Sequence, residues 1–329
     1  MHVLITGGSG FLGRRLATSL LRAGTVTVDG APRRIERMTL FDPVAAGGLP
    51  DDPRIQLVVG DITDRGAIER ATAAADLVWH LAAVVSAAAE ADFDLGYRVN
   101  VDGTRRLLEA LRAAGRQPRV VFASSLAVYG GDLPAVVPDD FHLTPQSSYG
   151  TQKAIGELLV ADYSRKGFVD GRSLRLPTVV VRPGRPNRAA STFASSIIRE
   201  PLAGAAAICP VRRDTAIYLL SPRRVVEALL RAMELPAGAW GGHRTLLLPG
   251  ITTTAGAMVE ALARVAGPAV AGRVRWEPDP VIQRIVDTWP VRAEAARARR
   301  LGFADDGTFD AILHAHIEDE LGGTDTVVA

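Results

Sequence analysis

The segment that most constrains this chain is a glycine-rich turn that begins at its seventh residue. An apolar run, Val3 to Ile5, leads into Gly7, and Gly10 and Gly13 follow at the start of a helical pattern. A strand, spaced glycines and a helix form the fingerprint of a loop that binds a dinucleotide pyrophosphate. Gly7 allows the tight exit from the strand, Gly10 lets the backbone approach the ligand, and Gly13 brings the helix close to the sheet. The helix N-terminus offers N–H donors and positive potential.

Beyond this turn, short β-branched or aliphatic runs alternate with longer amphipathic segments. The runs expected to be strands are Val3 to Ile5, Met38 to Phe41, Ile55 to Val59, Leu77 to Leu81, Val120 to Ala123 and Val179 to Val181. Helices are expected at about 10–21, 65–73, 93–114 and 149–164. The pattern predicts the α/β class: a doubly wound parallel sheet of the Rossmann type, with a smaller, mixed α/β C-terminal region.

The length of 329 residues is enough for about two domains. We expect a dinucleotide-binding domain at 1–182 and a mainly substrate-binding region at 183–329, with about 215–249 packing back on the first domain. We place the boundary where the chain crosses between these regions at 182–187, because two prolines and a glycine there cannot continue a central strand. In the second region, helices are expected near 192–199, 222–233, 254–265, 291–300 and 309–321, with a strand at 245–248.

Composition excludes several classes of partner. A formal charge of +2 is too balanced for binding nucleic acid or a membrane surface by bulk electrostatics. We see no apolar stretch near the roughly 18 residues that cross a bilayer, and no cationic, apolar leader. The single cysteine, Cys209, cannot form an internal disulfide or a thiolate cluster, and it suits a reducing cytoplasm. We therefore expect a cytoplasmic protein with no nucleic-acid or membrane partner.

Two acidic residues compete to set the choice between NAD and its 2′-phosphorylated form. Asp42 follows the second expected strand and should accept hydrogen bonds from the adenosine ribose. That favours NAD, because a carboxylate repels a 2′-phosphate. The distance from Gly7 is longer than usual, since residues 24–34 are an insert, either a small hairpin or a loop. Asp29 in this insert is the competitor.

Other charged residues near the expected nucleotide-binding site each allow two interpretations. Arg33 and Arg34 could face a phosphate, although arginines in an insert more often form a solvated edge. Asp61, next to Ile62 after the third expected strand, either contacts the adenine amino group or caps a helix.

Tyr149 and Lys153 stand four residues apart on one face of an expected helix, so they can act on the same small volume. A free tyrosine titrates near 10, so a phenol acting as a base at neutral pH needs its pKa lowered by about three units, roughly 4 kcal/mol. The Lys153 ammonium and the positive charge of an oxidised nicotinamide can each lower this pKa. The alternative is that Tyr149 and Lys153 are paired by chance on a surface helix. Chance is less favoured because the chain has only two lysines, Lys153 and Lys166.

Ser125 lies at the carboxyl end of the fifth expected strand, where open α/β sheets bind ligands, and its hydroxyl can donate to a substrate oxygen. With the glycine loop and Tyr149 to Lys153, three further segments resemble the extended short-chain dehydrogenase/reductase (NAD-dependent epimerase/dehydratase) family: His80 to Ala83, Asn100 to Thr104 and Val121 to Gly130. The resemblance covers the first domain. It implies Ser125, Tyr149 and Lys153 as catalytic residues, with Asn100 supporting the cofactor side.

Further segments narrow the resemblance to the D-erythronate dehydrogenase branch of that family. They are 95–100, 144–153, 162–171 and 182–191, and matching continues at 199–202 and 209–211. Members of that branch oxidise C2 of a four-carbon sugar acid with NAD. The resemblance therefore implies NAD as the cofactor and a small sugar acid, D-erythronate, as the substrate that is converted to 2-oxo-tetronate.

These arguments together give a set of expected contacts. Expected cofactor contacts are Gly7, Gly10, Phe11, Leu12, Gly13, Asp42, Asp61, Ile62, Leu81, Ala82, Ala83, Asn100, Tyr149, Lys153 and Pro177. Expected substrate contacts are Ser86, Ser125, Tyr149, Arg185 and Asn187.

The carboxylate of a sugar acid needs a cationic partner, and the planar fork of an arginine supplies two directed bonds. Arg182, Arg185 and Arg188 are the candidates, with Arg185 preferred. No metal is expected, since His314 and His316 are two residues apart and point in different directions on a helix.

Two other functions remain open at this point. A nucleotide-sugar epimerase or dehydratase on the same scaffold would regenerate its cofactor within one turnover. A non-catalytic NAD-sensing regulator would keep the dinucleotide fold without chemistry. Family members commonly dimerise through the helices equivalent to 93–114 and 149–164, which carry many alanines and leucines, so we expect a homodimer.

Overall fold

The computed structural model describes residues 1–45, 47–184 and 190–322. Its contacts divide the chain into two units. The first contains 1–128, 145–175 and 226–246, and the second contains 129–144, 176–225 and the chain from 247 onward. This division falls after Arg175, whereas the sequence placed the crossing at 182–187. The assignment of the two regions to cofactor and substrate stays a prediction.

Strands and helices alternate through much of the described chain. The strands are β1 (His2–Thr6), β2 (Thr25–Val28), β3 (Ala31–Arg34), β4 (Arg37–Asp42), β5 (Ile55–Val59), β6 (Leu77–His80), β7 (Arg119–Ser125), β8 (Asp170–Leu176), β9 (Thr178–Val179), β10 (Ala207–Cys209), β11 (Ala216–Leu220), β12 (Thr245–Leu247), β13 (Ile251–Thr254) and β14 (Val274–Trp276).

The α-helices of the described residues follow the same numbering along the chain. They are α1 (Phe11–Ala23), α2 (Arg65–Thr72), α3 (Ser86–Ala91), α4 (Phe93–Gly96), α5 (Thr104–Ala114), α6 (Ser148–Arg165), α7 (Thr192–Leu202), α8 (Pro222–Glu234), α9 (Ala237–Trp240), α10 (Ala255–Ala266), α11 (Pro268–Ala271), α12 (Pro280–Val286), α13 (Ala296–Arg300) and α14 (Phe309–Glu320). A π-helical segment, Tyr97–Gly103, joins α4 to α5, and a 3-10 turn, Leu126–Val128, follows β7.

The first unit is built on a sheet which, within the described residues, has seven strands in the order β12, β8, β7, β6, β1, β4, β5. The pairs β1–β4, β4–β5, β1–β6 and β6–β7 are parallel. The chain moves outward from β1 to β4 and β5, then returns to β6 on the other side of β1. This arrangement confirms the predicted doubly wound α/β fold. The order reverses between β1 and β6, so their carboxyl ends open a crevice of the kind that binds ligands.

Helices cover both faces of this sheet because successive side chains of a strand point to opposite sides. On one face, Val78 belongs to a buried cluster with Ile68 of α2 and Leu107 of α5. The next residue, Trp79, points the other way, and its indole Nε1 donates to the Leu229 carbonyl of α8 at 3.0 Å. All four residues of β6 are therefore buried, as their apolar sequence predicts.

The insert before β4 is a hairpin, one of the two forms that the sequence allowed. Strands β2 and β3 pair antiparallel, with Val28 opposite Ala31. The two residues of the turn, Asp29 and Gly30, have φ values of 51° and 77°. Positive φ at both positions is typical of the type I′ turn, whose twist matches that of the strands it joins.

The expectation that Val179 to Val181 forms a strand of the main sheet is wrong. Strand β9 pairs with β11 in a separate three-stranded sheet. The main sheet instead uses β8, whose sequence DGRSLRL offers no apolar run. The helix expected over 291–300 is also shorter, because within those residues only α13 is helical.

Ion pairs explain how so polar a segment as β8 is buried. Arg172 is fully buried, and its guanidinium donates to Asp170 at 2.6 Å and to the carbonyls of Ala232 and Met233 near the end of α8. The Asp170 carboxylate also accepts from Arg119 Nε at 3.1 Å and from Arg244 Nη1 at 2.9 Å. One carboxylate thus contacts three guanidinium groups, which a hydrophobic pattern cannot reveal.

The second unit has its own apolar core. Two small sheets, β13–β11–β9 and β10–β14, occur in its described residues. Buried residues of α7, β11, α10 and α14 form one cluster, which includes Ile197, Leu219, Met258 and Ile312. The mixed character of this unit agrees with the predicted smaller α/β region. Among the described residues, the structure contains no helix long and apolar enough to span a membrane.

Replacing Asp170 with asparagine should lower the free energy of unfolding by about 3 kcal/mol, because the buried Arg172 loses its counter-charge. Urea unfolding measures the change. The matched control is Asp214→Asn, since the Asp214 side chain is 81% exposed, and it should stay within about 0.5 kcal/mol of the parent. A loss below about 1 kcal/mol for D170N would show that Asp170 is not the required counter-charge.

Candidate active site

The carboxyl edge of the main sheet collects most of the residues that the sequence predicts for the site. The glycine loop follows β1, Asp42 ends β4, the Leu81 to Ala83 segment follows β6, and Ser125 ends β7. Because these strands are parallel, their carboxyl ends lie along one edge.

The glycine loop is packed too tightly for side chains at two of its positions. Gly7 has a φ of 73°, and a Cβ there would lie 2.7 Å from the backbone nitrogen of Ala82. A Cβ at Gly13 would lie 2.2 Å from the Gly7 carbonyl oxygen. The loop therefore lies directly against α1 and against the segment after β6.

Gly10 differs because its surroundings are open. It is exposed, and a Cβ there would meet only the Gly7 carbonyl oxygen, at 3.1 Å. Gly10 is the N-cap of α1 and provides no side-chain cap, and the first intrahelical bond runs from the Arg14 N–H to its carbonyl. The first-turn N–H groups of Phe11, Leu12 and Gly13 precede that bond. This open cradle of N–H donors at a helix N-terminus fits a pyrophosphate.

Asp42 lies beside this loop. One of its carboxylate oxygens accepts from the Ser9 N–H at 3.1 Å and the other from the Val44 N–H at 3.1 Å. Each oxygen has a second lone pair, so the group can also accept ribose hydroxyls. Its competitor, Asp29, accepts instead from Arg119 at 2.8 Å. Arg119 begins β7, so Asp29 lies at the opposite, amino edge of the sheet.

The remaining charged candidates around the nucleotide side lie in exposed positions. Arg33 and Arg34 are exposed on β3 of the hairpin. Asp61 is exposed and accepts from the Thr63 N–H at 2.8 Å. The cap of α2 is Asp64, which accepts from the Ala67 N–H, so the alternative reading of Asp61 as that cap is wrong.

Ile62 differs from its exposed neighbour Asp61. It is 4% exposed and lies against Gly103, where a Cβ would come within 2.6 Å of the Ile62 Cγ2 atom. Ile62 therefore packs the segment after β5 against the π-helical segment.

Asn100 fixes the segment that follows β6. Its Oδ1 accepts from the Val84 N–H at 2.8 Å, and its Nδ2 donates to the Val84 carbonyl at 2.9 Å and to Gln152 Oε1 at 2.7 Å. Gln152 is fully buried in α6, next to Lys153. The same amide thereby connects Val84, the residue after the Leu81 to Ala83 segment, with the helix of the Tyr-x-x-x-Lys motif.

His80 is a structural residue in this arrangement. It is 1% exposed, its Nδ1 lies 2.7 Å from Thr6 Oγ1, and its Nε2 lies 2.9 Å from Thr104 Oγ1. The Thr104 hydroxyl donates to the Asn100 carbonyl, so it accepts from Nε2–H, which assigns the neutral tautomer. Burial, with a contribution from the Lys153 charge, lowers the pKa of His80 to about 3. His80 therefore stays uncharged at neutral pH.

Tyr149 and Lys153 lie at the start of α6, as their spacing predicts. Ser147 caps this helix by accepting from the Gly150 N–H. A Cβ at Gly150 would lie 2.0 Å from the Ala127 carbonyl oxygen, so glycine permits the close approach of α6 to the turn after Ser125. The helix N-terminus places positive potential near Tyr149.

The Lys153 side chain is 3% exposed. Its Nζ donates to the Ala123 carbonyl at 2.8 Å and lies 5.6 Å from the centre of the Tyr149 ring and 4.7 Å from that of Phe122. Burial lowers the pKa of Lys153 to about 8, and the charge of Glu157 opposes that effect. An ammonium group thus lies buried beside the phenol ring.

The two serines that end β7 have different environments. Ser125 is partly exposed, and its Oγ accepts from the Ala127 N–H at 3.1 Å, which leaves its hydroxyl proton for another acceptor. Ser124 is 2% exposed and donates to Glu157 Oε1 at 2.5 Å. Of the pair, only Ser125 is partly accessible to a substrate.

Sequence reasoning missed the buried carboxylate of Glu157 and its arginine. Glu157 is 3% exposed and accepts from Arg175 Nε at 2.9 Å and Nη2 at 2.7 Å. The helical spacing of four residues from Lys153 could have revealed Glu157. Arg175 lies in the unpredicted strand β8, so no sequence signal pointed to it.

The other predicted contacts lie outside this group. Ser86 is the first residue of α3, directly after the segment that follows β6. Pro177 is buried between β8 and β9, in the second unit. Arg182 donates to Ser191 Oγ at 3.3 Å. Arg185 and Asn187, like Arg188, lie outside the described residues.

The side chains at this edge are of types suited to proton transfer. Among the described residues, the structure contains no group of three or more His, Cys, Asp or Glu side chains that could hold a metal ion. A phenol, a partly exposed hydroxyl and a buried ammonium lie at the same edge of the sheet as the open glycine cradle. Such a set suits the removal of a proton from an alcohol whose hydride passes to a dinucleotide.

Residues 3–244 match the NAD dependent epimerase/dehydratase family. The chain belongs to this family. NAD is therefore its cofactor, which confirms the predicted one. The family match covers the glycine loop, Ser125, Tyr149 and Lys153.

Two curated relatives extend over nearly the full chain. The D-erythronate dehydrogenase of Cupriavidus necator is 58% identical over 323 residues, covering 97% of this chain and 98% of the relative. The D-erythronate dehydrogenase of Haemophilus influenzae is 43% identical, covering 98% of this chain and 100% of the relative.

Solved structures agree on the fold. A nucleoside-diphosphate-sugar epimerase from Agrobacterium tumefaciens is 44% identical, with a TM-score of 0.92, over 98% of this chain and 95% of that one. A GalE-like L-threonine dehydrogenase from Cupriavidus necator is 24% identical with a TM-score of 0.83, over 97% and 99% of the two chains. The second likeness shows the fold alone.

Replacing Gly10 with alanine should keep the fold but weaken NAD binding by about tenfold or more, because the methyl group occupies the open space in front of the loop amides. Calorimetric titration with NAD measures the dissociation constant. The matched control is Gly238→Ala, where a Cβ meets nothing within 4 Å. A dissociation constant for G10A within about twofold of the parent would place the pyrophosphate elsewhere.

Proposed function

We propose that this protein is an NAD-dependent dehydrogenase that oxidises the C2 hydroxyl of D-erythronate to 2-oxo-tetronate. The observation that carries the proposal is the 58% identity, over nearly the full length, with a D-erythronate dehydrogenase. The relative with 43% identity has the same name. The geometry around Tyr149 and Lys153 supports a proton transfer of the kind that this oxidation needs.

In this proposal Tyr149 is the catalytic base. Its phenolate accepts the proton of the C2 hydroxyl, while Ser125 donates a hydrogen bond to the same oxygen. Three features lower the cost of ionising the phenol: the Lys153 ammonium 5.6 Å from its ring centre, the N-terminus of α6, and the positive charge of the oxidised cofactor. The C2–H bond breaks as the proton leaves, and when bound the NAD nicotinamide accepts the hydride.

The chain's own residues would hold the cofactor at the edge already described. The amides after Gly10 would bind the pyrophosphate, and Asp42 would accept from the adenosine ribose, with Asp61 and Ile62 on the adenine side. Lys153 would bind the ribose next to the nicotinamide. Asn100 would support that region by fixing the segment after β6, to which it is bonded through Val84.

The substrate carboxylate is proposed to bind an arginine. Arg185 is the first choice because a guanidinium supplies two parallel bonds to a carboxylate. Asn187 and Ser86 are proposed to bind the remaining hydroxyls. This part of the proposal rests on the sequence, since Arg185 and Asn187 lie outside the described residues.

One experiment tests the function. Purified protein with NAD and D-erythronate should form NADH in a 1:1 ratio to the oxidised acid, and Tyr149→Phe should lower kcat by about 10²- to 10⁴-fold because the base is removed. Tyr163→Phe is the matched control on the same helix, since the Tyr163 hydroxyl bonds to Glu109. Turnover of Y149F within a few-fold of the parent would overturn the role of Tyr149.

A second candidate function is favoured by one observation. The structure that is 44% identical is named a nucleoside-diphosphate-sugar epimerase. An epimerase regenerates its cofactor in each turnover, so it accumulates no NADH. Absence of NADH with D-erythronate and other aldonates, together with epimerised product from a nucleotide sugar, would establish that alternative. A non-catalytic NAD-sensing role is disfavoured because Ser125, Tyr149 and Lys153 are all present.

We also propose that the protein is a homodimer in the cytoplasm. Large apolar side chains are exposed near the expected helix pair: Leu158 of α6 is 65% exposed and Phe93 of α4 is 57% exposed. The single cysteine suits a reducing compartment. Cell fractionation tests the location, and recovery with exported proteins would exclude it.

Replacing Leu158 with arginine should convert a dimer to a monomer, because a charge in an apolar interface lacks a partner. Sedimentation velocity measures the change. The matched control is Leu57→Arg, since Leu57 is 46% exposed on strand β5 rather than on a helix. A parent protein that sediments as a monomer at micromolar concentration would overturn the dimer.

A further inference from the structure

A buried ion pair lies one helical turn from Lys153 and is not used by the mechanism above. Glu157 is 3% exposed, and Arg175, which contacts it through both Nε and Nη2, has a side chain that is 12% exposed. Two buried charges cost several kcal/mol to desolvate, and packed apolar residues would serve stability as well or better. The position of this pair therefore calls for a role other than stability.

The contacts of Glu157 fix where its charge lies. Ser124 donates to Oε1 at 2.5 Å, and Arg175 donates to Oε1 at 2.9 Å and to Oε2 at 2.7 Å. Ser124 follows Ala123, whose carbonyl accepts from Lys153 Nζ at 2.8 Å. Consecutive residues of β7 thus bind the carboxylate and the ammonium.

The charged and titratable groups around Lys153 come from three elements, and a fourth contributes a backbone carbonyl. On α6 they are Tyr149 and Glu157. On β6 there is His80, which stays uncharged at neutral pH because burial lowers its pKa. On β8 there is Arg175, which is held by Glu157, and on β7 the Ala123 carbonyl contributes only a dipole. Glu157 is therefore the group of this set that offers a negative charge to Lys153.

We propose that Glu157 is a positioning residue that keeps the buried Lys153 as an ammonium group beside the Tyr149 ring. The inference rests on the proposed function for its catalytic consequence, since the ammonium matters only where Tyr149 is the base. Burial alone drives an amine toward its neutral form. A neutral Lys153 would no longer stabilise the phenolate.

The direction in which each substitution changes the pKa of Lys153 follows from these charges. Burial lowers the pKa of Lys153 to about 8, with Glu157 opposing the shift. Removing the Glu157 charge therefore lowers this pKa further, and Lys153 then loses its proton within the neutral range. Removing Arg175 leaves the Glu157 charge without its counter-ion, so the pKa of Lys153 rises.

The chain offers a direct measurement because Lys153 and Lys166 are its only lysines. Protein labelled with ¹³C at the lysine ε carbon should give two lysine signals in solution NMR, and Lys166→Arg identifies them. Titration of the cofactor-free protein then reports the ionisation of Lys153 without any substrate.

The Lys153 midpoint should fall by about one pH unit or more in Glu157→Gln, because a buried charge is removed at nearly constant shape. Asp162→Asn, which removes an exposed carboxylate from the same helix, should leave the midpoint within about 0.3 units of the parent. Ser124→Ala keeps every charge and should stay near the parent. If E157Q does not fold, Arg175→Gln tests the proposal instead, and the Lys153 midpoint should then rise.

Turnover with D-erythronate provides the second readout. In E157Q the alkaline loss of kcat should move to lower pH by the same amount as the lysine midpoint, whereas a merely structural role would lower kcat equally at every pH. A lysine midpoint unchanged in E157Q, or in R175Q where that variant carries the test, would overturn the proposal. A shifted midpoint in a protein whose parent forms no NADH would keep this inference and reject the proposed function.

Discussion

The buried ammonium of Lys153 is the interaction on which the rest of the site depends. It is held by the Ala123 carbonyl of β7 and lies beside the rings of Phe122 and Tyr149. An ammonium at this depth is costly, so the surrounding structure must supply both a hydrogen-bond acceptor and a negative charge. The β7 backbone supplies the first and Glu157 the second. The chemistry assigned to Tyr149 follows from the potential that this charge creates.

The architecture explains why such a site arises at one edge of the sheet. Parallel strands bring their carboxyl ends together, and the reversal of order between β1 and β6 leaves an opening there. Glycines allow three close backbone contacts: Gly7 lies against the segment after β6, Gly13 brings α1 against the loop, and Gly150 brings α6 against the turn after Ser125. Side chains from elements distant in sequence therefore meet without long loops.

Much of this could be predicted from local pattern. The glycine loop, the apolar strands and the Tyr149/Lys153 spacing are short-range signals, and the structure has the predicted fold. The competition between Asp42 and Asp29 could not be resolved from sequence, because it depends on a hairpin that carries Asp29 to the amino edge, where Arg119 binds it.

Long-range ion pairs are the part of the structure that could not be predicted from the sequence. Strand β8 was missed because Arg172 and Arg175 break its apolar pattern, and their burial depends on carboxylates placed by the tertiary structure. Glu157 lies on a predicted helix, but its pairing with Arg175 of this missed strand could not be seen in the sequence. Hydrophobic periodicity finds elements that are buried by apolar contact and fails for those that are buried by paired charge.

The ionisation of the Tyr149 phenol tests this account most directly. Tyrosinate absorbance can be titrated in the parent and in Tyr149→Phe, both with saturating NAD, and the difference isolates one residue. We expect the Tyr149 phenol to titrate with a midpoint at least about one unit below the free value near 10, and the midpoint to return toward that value in Lys153→Met. A phenol that ionises at or above about 10 in the parent would contradict it.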